Sequence, residues 1–151
     1  METMSRTSRS EDGLRERLAG IGRQLAAREA PHVEALREAR GHAVALHRCV
    51  AEALEAYHQA IAESDQEALR VELGAVRTDD KHVRAVQFDL ARGRHRAVVT
   101  VKSRRQVTLV GPFKAGGTEG PCKSFPVEAR EEIAPALAEF LESFLRAAAT
   151  P

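Results

Sequence analysis

Residues 85–110 read AVQFDLARGRHRAVVTVKSRRQVTLV, and this stretch decides the fold. It contains three short runs in which apolar residues alternate with other residues, as they do in strands that bury one face. The runs are separated by the turn-like segments 92–94 and 103–105. Because connections this short join antiparallel neighbours, the stretch predicts an antiparallel meander. The apolar residues of 71–76 indicate a further strand, so we expect a sheet of three to four strands.

A glycine-rich loop and a helix follow the predicted sheet. Residues 111–121 contain four glycines and two prolines, which are typical of a loop. From about residue 127 to 149 the apolar residues recur at helical spacing, and Pro135 interrupts the pattern. We expect this helix to pack its apolar stripe on the sheet. The stripe consists of Ile133, Leu137, Phe140, Leu141, Phe144 and Leu145.

The segment before the sheet has the pattern of helices. Residues 1–12 are polar and lack apolar periodicity, so we expect them to be disordered. A first seam of apolar residues comes after them, with spacings of 4, 3 and 4 residues. This first seam consists of Leu14, Leu18, Ile21 and Leu25. Because Pro31 disfavours a helical conformation in the residue before it, we expect this helix to end near Ala30.

A second seam continues for four heptads with alternating steps of 3 and 4 residues. It consists of Val33, Leu36, Arg40, Ala43, His47, Val50, Leu54, Tyr57 and Ile61. The two seams are one residue out of phase across Pro31, and either a kink or a helical hairpin at this proline would absorb the slip. Together the patterns predict an α+β protein. A long helix or helical hairpin over 13–69 would form one compact unit with a sheet and C-terminal helix over 70–151.

The composition limits the class of protein. The chain has 151 residues and a formal net charge of +1. No run approaches the roughly 20 apolar residues that cross a bilayer, and the first residues lack the apolar run of a signal peptide. Two cysteines are too few for a disulfide scaffold in a chain of this length. We therefore expect a soluble, cytoplasmic protein.

The small net charge hides an uneven distribution of basic residues. Residues 1–69 hold 9 basic and 12 acidic side chains, and residues 124–151 hold 2 and 5, so both segments have a net charge of −3. Residues 70–123 hold 12 and 5, a net charge of +7. Many of these basic residues lie in or beside the two predicted turns. We call this set the basic patch: Arg92, Arg94, Arg96, Lys102, Arg104 and Arg105.

The basic patch has three interpretations. Charges at turns and strand edges discourage aggregation between strands, they attract an acidic partner, or they contact the backbone of duplex DNA. Binding of single-stranded nucleic acid needs exposed aromatic side chains on which bases stack. The aromatic residue of the central sheet, Phe88, is on the face predicted to be buried. Single-stranded nucleic acid is therefore disfavoured.

The residues that carry chemistry in other proteins are not combined here in a way that indicates catalysis, and we expect no cofactor and no metal. Glu55 and His58 have the Glu-x-x-His spacing of di-metal helical bundles, but such a site needs two copies and further glutamates. Cys122, beside Lys123, is interpreted as an ordinary loop residue rather than a reactive thiol. A small enzyme with its site at the glycine-rich loop, 111–123, is the third hypothesis for the function.

The second seam is the predicted interface of the protein. Arg40 and His47 occupy positions otherwise held by apolar residues, and such polar positions specify register or partner number in coiled coils. Packing on the chain's own sheet and pairing with another chain both explain the seam. We expect a non-enzymatic adaptor that is a homodimer or a subunit of a mixed assembly, with the basic patch binding an acidic protein partner; DNA-backbone binding is the alternative. The interface residues are Val33, Leu36, Arg40, His47, Val50, Leu54, Tyr57 and Ile61.

Overall fold

The predicted α+β class is confirmed. The computed structural model of the chain describes residues 2–79, 84–117 and 120–150. Along the described residues, one α-helix precedes the strands of an antiparallel sheet and a second α-helix follows them. The elements are α1 (Glu2–Glu63), a short 3-10 helix (Glu67–Leu69), β1 (Glu72–Leu73), β2 (Arg77–Thr78), β3 (Ala85–Arg92), β4 (His95–Lys102), β5 (Gln106–Lys114), β6 (Cys122–Pro126) and α2 (Arg130–Ala148).

Within the described residues, the sheet has six strands rather than three to four. Its order is β1-β3-β4-β5-β6, and β2 pairs with β3 beside β1. Within the predicted strand over 71–76, Glu72 and Leu73 form β1, and the next two-residue strand, β2, lies just beyond it at Arg77–Thr78; both pair with β3. Between them, the Gly74 N–H donates to the Asp89 carbonyl at 2.7 Å. The sequence also predicts a turn over 78–81; Thr78 lies in β2, and residues 80 and 81 lie outside the described residues.

The last strand was missed because its sequence, CKSFP, follows the glycine-rich loop and has no apolar alternation. It pairs along the outer edge of β5. β5 itself extends to Lys114, beyond Gly111, where the strand was predicted to end. Gly111 has a φ of 121°, and a Cβ there would lie 3.0 Å from the Ala97 Cα. Only glycine fits this close approach, which coincides with an irregular register between β4 and β5.

The alternation in the central strands gives the buried face that the sequence predicts. Val86, Phe88 and Leu90 are fully buried, whereas Gln87 and Asp89 are partly exposed. The second half of α1, from residue 35, and α2 share one core with this face. α2 begins at Arg130, three residues later than predicted, and includes Pro135 without interruption. Its buried residues are Ile133, Leu137, Phe140, Phe144 and Ala148.

α1 is one helix of 62 residues with Pro31 inside it, so the predicted hairpin is replaced by the long-helix alternative. The cost of an interior proline, about 3 kcal/mol, is local. The flanking sequence, rich in Ala, Glu, Leu and Arg, consists of strong helix formers that support the helix on both sides. α1 also extends back to Glu2, although residues 2–12 contain several weak helix formers (Ser, Thr and Asp), whereas the sequence predicted disorder over 1–12.

The chain divides by its internal contacts into two units, residues 1–34 and 35–151. α1 supplies residues to both. The predicted boundaries, at 12–13 and 69–70, stay predictions. In the described part of the chain, neither helix is long and apolar enough to cross a membrane.

Candidate interaction site

The first seam is exposed along its whole length. Leu14, Leu18, Ile21 and Leu25 expose 50–58% of their surface. Their 4-3-4 spacing places them on one side of α1. Charged residues occupy other positions of this helical segment. The Arg23 Nη2 lies 3.8 Å from the Glu16 Oε1, which makes an exposed ion pair. A narrow apolar seam on an otherwise polar helix is typical of a coiled-coil interface.

The second seam, in contrast, is occupied by the chain's own sheet. Val50 is fully buried, and Leu54 and Ile61 expose 3% and 8% of their surface. Leu36 and Tyr57 pack against the same core. Within the chain, the second seam thus follows the internal-packing alternative, and a role of these residues between chains stays a prediction. Val33, in contrast, is half exposed at 52% and belongs to the other unit.

The polar members of the second seam bond within the chain. The His47 Nε2–H donates to the Gly74 carbonyl at 2.9 Å, and the ring stands edge-on to Phe88 with centroids 5.0 Å apart. Because a carbonyl only accepts, this bond fixes the proton on Nε2. Arg40 donates to the Thr78 hydroxyl at 3.3 Å. These bonds hold the β1–β2 segment on α1.

His58 makes the opposite kind of contact, as an acceptor. The Val71 N–H donates to the His58 Nε2 at 3.2 Å, so the ring must be neutral at that nitrogen. Burial is the largest cause that lowers the pKa of His58, and the charge of Arg70 adds to it. Nearby, the Tyr57 hydroxyl donates to the Leu69 carbonyl at 2.7 Å. Both side chains fasten the connection between α1 and the sheet.

We expect acid to weaken this fastening. A histidine whose pKa is lowered on folding stabilises the fold above its ordinary pKa, near 6.5, and that contribution is lost as the pH falls through the lower folded value. His58→Gln keeps an acceptor but does not titrate, so its stability should fall less than that of the wild type between pH 7.5 and 5. Urea unfolding at several pH values measures this. Equal pH slopes for the two proteins would contradict the prediction.

The basic patch is not one surface, because Arg105 and Arg92 contact different parts of the fold. Arg105 bridges the chain by pairing with Glu38 of α1 and with Glu128, whose Oε1 lies 2.7 Å from the Arg105 Nε. The hydrogen bond to Glu128 and the charge of Glu38 raise the pKa of the Arg105 guanidinium. The hydrogen bond from its own backbone N–H is the largest cause that lowers the pKa of the Glu128 carboxyl, and the hydrogen bond from Arg105 is the second.

Arg92, the last residue of β3, donates hydrogen bonds to two backbone carbonyls. It donates to the Ala68 carbonyl at 2.9–3.0 Å and to the Ala148 carbonyl. A cation at the carbonyl end of α2 is favourable because of the helix dipole. Arg96 donates to carbonyls of its own turn, at Gly93 and His95.

The other members of the basic patch lie apart. Arg94 and Arg104 are exposed, and Lys102 is partly exposed. Arg94 and Arg104 stand in turns at opposite ends of the eight-residue strand β4, roughly 25 Å apart by strand rise. Each turn therefore offers a small basic surface of its own.

The glycine-rich loop borders a small pocket of about 180 Å³. Lys123 and Glu139 are its ionisable lining residues, and Gly111 and Pro121 form its wall. Cys122 is exposed, as is Cys49, and neither is in a disulfide. Among the residues that the structure describes, no three His, Cys, Asp or Glu side chains are grouped as a metal ion would require. Two residues of the loop, 118 and 119, lie outside the described ranges.

Comparison with protein-family models, curated proteins and solved structures finds no match to this chain.

The first seam was recognised in the sequence as a helical seam but was not predicted to be the interface. The sequence does distinguish the first seam from the second. The first seam keeps a strict heptad spacing with no further apolar residue larger than alanine beside it, whereas the second is widened by Leu46, which packs against the core.

Proposed function

We propose that the protein is a non-enzymatic interaction module that self-associates through the first seam of α1. The observation that supports this most directly is the exposure, 50–58%, of four large aliphatic side chains at heptad spacing. Apolar surface of this kind is removed from water when two such helices pair. Exposed apolar patches that are bordered by polar residues commonly mark sites of protein association.

The proposed interface, the first seam, lies nearer the start of α1 than the second seam, which the sequence predicted as the interface. The second seam is used inside the unit 35–151, so the first seam takes the intermolecular role. Four apolar layers make a short interface, and we expect the dimer to dissociate on dilution. The proposed location remains the cytoplasm, where two free cysteines are stable as thiols.

The test is the mass in solution, measured by light scattering over a series of concentrations. The wild type should approach twice 16.5 kDa as its concentration rises. Ile21→Asp places a charge in the seam and should leave a monomer at every concentration, because the carboxylate would lose water on pairing. An unchanged mass for this variant, or a wild type that stays monomeric, would overturn the proposal.

A matched control uses the same substitution elsewhere on α1. Ala19 is exposed and lies on a different side of the helix from Ile21. Ala19→Asp introduces the same charge and loses at least as much helix propensity as Ile21→Asp, so a wild-type mass for this control would exclude helix destabilisation as the cause of dissociation. Circular dichroism of both variants checks that α1 remains helical.

A second candidate is binding of an acidic partner or of the DNA backbone by the exposed arginines of the sheet turns. Its supporting observation is the net charge of +7 over 70–123, with Arg94 and Arg104 exposed. A short DNA duplex added in the same mass measurement should then bind at low salt and dissociate at moderate salt. Arg94→Glu with Arg104→Glu should abolish that binding without disturbing Arg92 or Arg105.

A further inference from the structure

We infer that the self-association is antiparallel, with Leu14 facing Leu25 of the partner subunit and Leu18 facing Ile21 of the partner subunit. The inference rests on the proposed function, in which the partner is a second copy of this chain, and adds the orientation and the register. It is carried by the exposed first seam and by the charges at its two ends.

The spacing of the first seam makes an antiparallel arrangement possible. In heptad terms Leu18 and Leu25 take position a, while Leu14 and Ile21 take position d. The 4-3-4 pattern reads the same in both directions and is centred between residues 19 and 20. A two-fold axis at that point therefore brings every member of the seam opposite another member, and no apolar side chain lacks a counterpart.

The charges next to the seam select between the two orientations. The heptad pattern continues to Glu11, three residues before Leu14, and to Arg28, three residues after Leu25. Both are exposed on α1. In the antiparallel register, Glu11 faces Arg28 of the partner subunit at each end of the seam.

A parallel dimer would oppose like charges at the same places. Glu11 would face its own copy at one end, and Arg28 would face its own copy at the other. Charge juxtaposition across an interface discriminates strongly between alternative pairings, because like charges repel while opposite charges attract. The sequence flanking the first seam therefore favours the antiparallel dimer and disfavours the parallel one.

Charge exchange tests this directly at low salt. Glu11→Arg places arginine against Arg28 at both ends, and Arg28→Glu places glutamate against Glu11. Each single variant should weaken the dimer about tenfold, since attractions are lost and repulsions are gained at two ends. The double variant, Glu11→Arg with Arg28→Glu, restores opposite charges and should recover the wild-type dissociation constant.

The pattern of these results separates the possibilities. In a parallel dimer each substitution exchanges one like-charge pair for another, so all three variants should resemble the wild type. That result would overturn the antiparallel inference while leaving self-association intact. A wild type that is monomeric at every concentration would overturn both the inference and the proposed function.

Cysteine cross-linking gives an independent readout of the orientation. The background is Cys49→Ser with Cys122→Ser, which removes the two exposed native thiols. In the antiparallel register the two copies of residue 14 are separated by 11 residues along the helix, about 16 Å. A disulfide requires Cα atoms within about 7 Å. Leu14→Cys alone should therefore not cross-link.

An equal mixture of Leu14→Cys and Leu25→Cys chains, in contrast, should form a covalent dimer under mild oxidation. Each variant incubated alone is the matched control, and it should remain non-covalent. Efficient cross-linking of Leu14→Cys alone would show that identical residues face each other, and it would overturn the antiparallel register.

Discussion

Replacing Phe88 by alanine is expected to lower the free energy of unfolding by about 3–5 kcal/mol. Phe88 is fully buried in β3 and is among the largest side chains with no exposed surface. It pairs with Val99 of β4, and its ring makes an edge-on contact with the His47 ring of α1. The substitution would leave a cavity where the sheet meets α1. Denaturant unfolding followed by circular dichroism measures the loss.

Gln87 provides the matched control for this substitution. It is the preceding residue of the same strand and points to the other face, where it is partly exposed. Its side chain accepts from the Thr100 hydroxyl at 3.5 Å, which is a long bond. Gln87→Ala should therefore cost about 1 kcal/mol or less. Comparable losses for Phe88→Ala and Gln87→Ala would show that β3 does not bury the face assigned to it.

Leu54→Asp is expected to unfold the unit 35–151 rather than to dissociate a dimer. Leu54 exposes 3% of its surface and belongs to the core shared by α1, the sheet and α2. Losing a buried leucine costs about 2–5 kcal/mol, and burying an unpaired carboxylate adds to it. The sum is comparable to the whole stability of a domain, about 5–15 kcal/mol.

Ala53→Asp is the control for the charge itself, because Ala53 is the preceding residue of α1 and is exposed. It should keep the circular dichroism and the cooperative thermal transition of the wild type, whereas Leu54→Asp should lose the transition. A folded Leu54→Asp protein with a reduced mass would contradict this, because it would place Leu54 in an interface between chains.

The parts of the fold that were predictable are those with a local pattern. The alternation around Phe88 identified β3 and its buried face, and the helical spacing around Phe140 identified α2. β1, β2 and β6 were missed or merged because two to five residues are too short to show a period. Their existence depends on pairing with β3 and β5, which is decided by tertiary contacts.

The candidate site was only partly predictable, since a helical period shows that a face is apolar but not what covers it. The two seams have the same steps of 3 and 4 residues, yet Leu54 is buried and Leu18 is exposed. The roles of Arg92 and Arg105 were also hidden. They contact Ala148 and Glu38, which are 56 and 67 residues away in the chain.

The chain order of the core has a consequence for folding during synthesis. The half of α1 that packs on the sheet is completed by Ile61, whereas Phe144 of α2, which closes the same core, is made about 80 residues later. At roughly 5–20 residues per second, ribosomes need about 4–16 s for that interval. Until the strands, the last of which ends at Pro126, and α2 have been made, the apolar face of α1 lacks the partners that cover it in the complete core. During that interval a nascent chain exposes the apolar residues of both seams. Once the second seam has docked on the sheet, the first seam is the one left exposed for the proposed dimer.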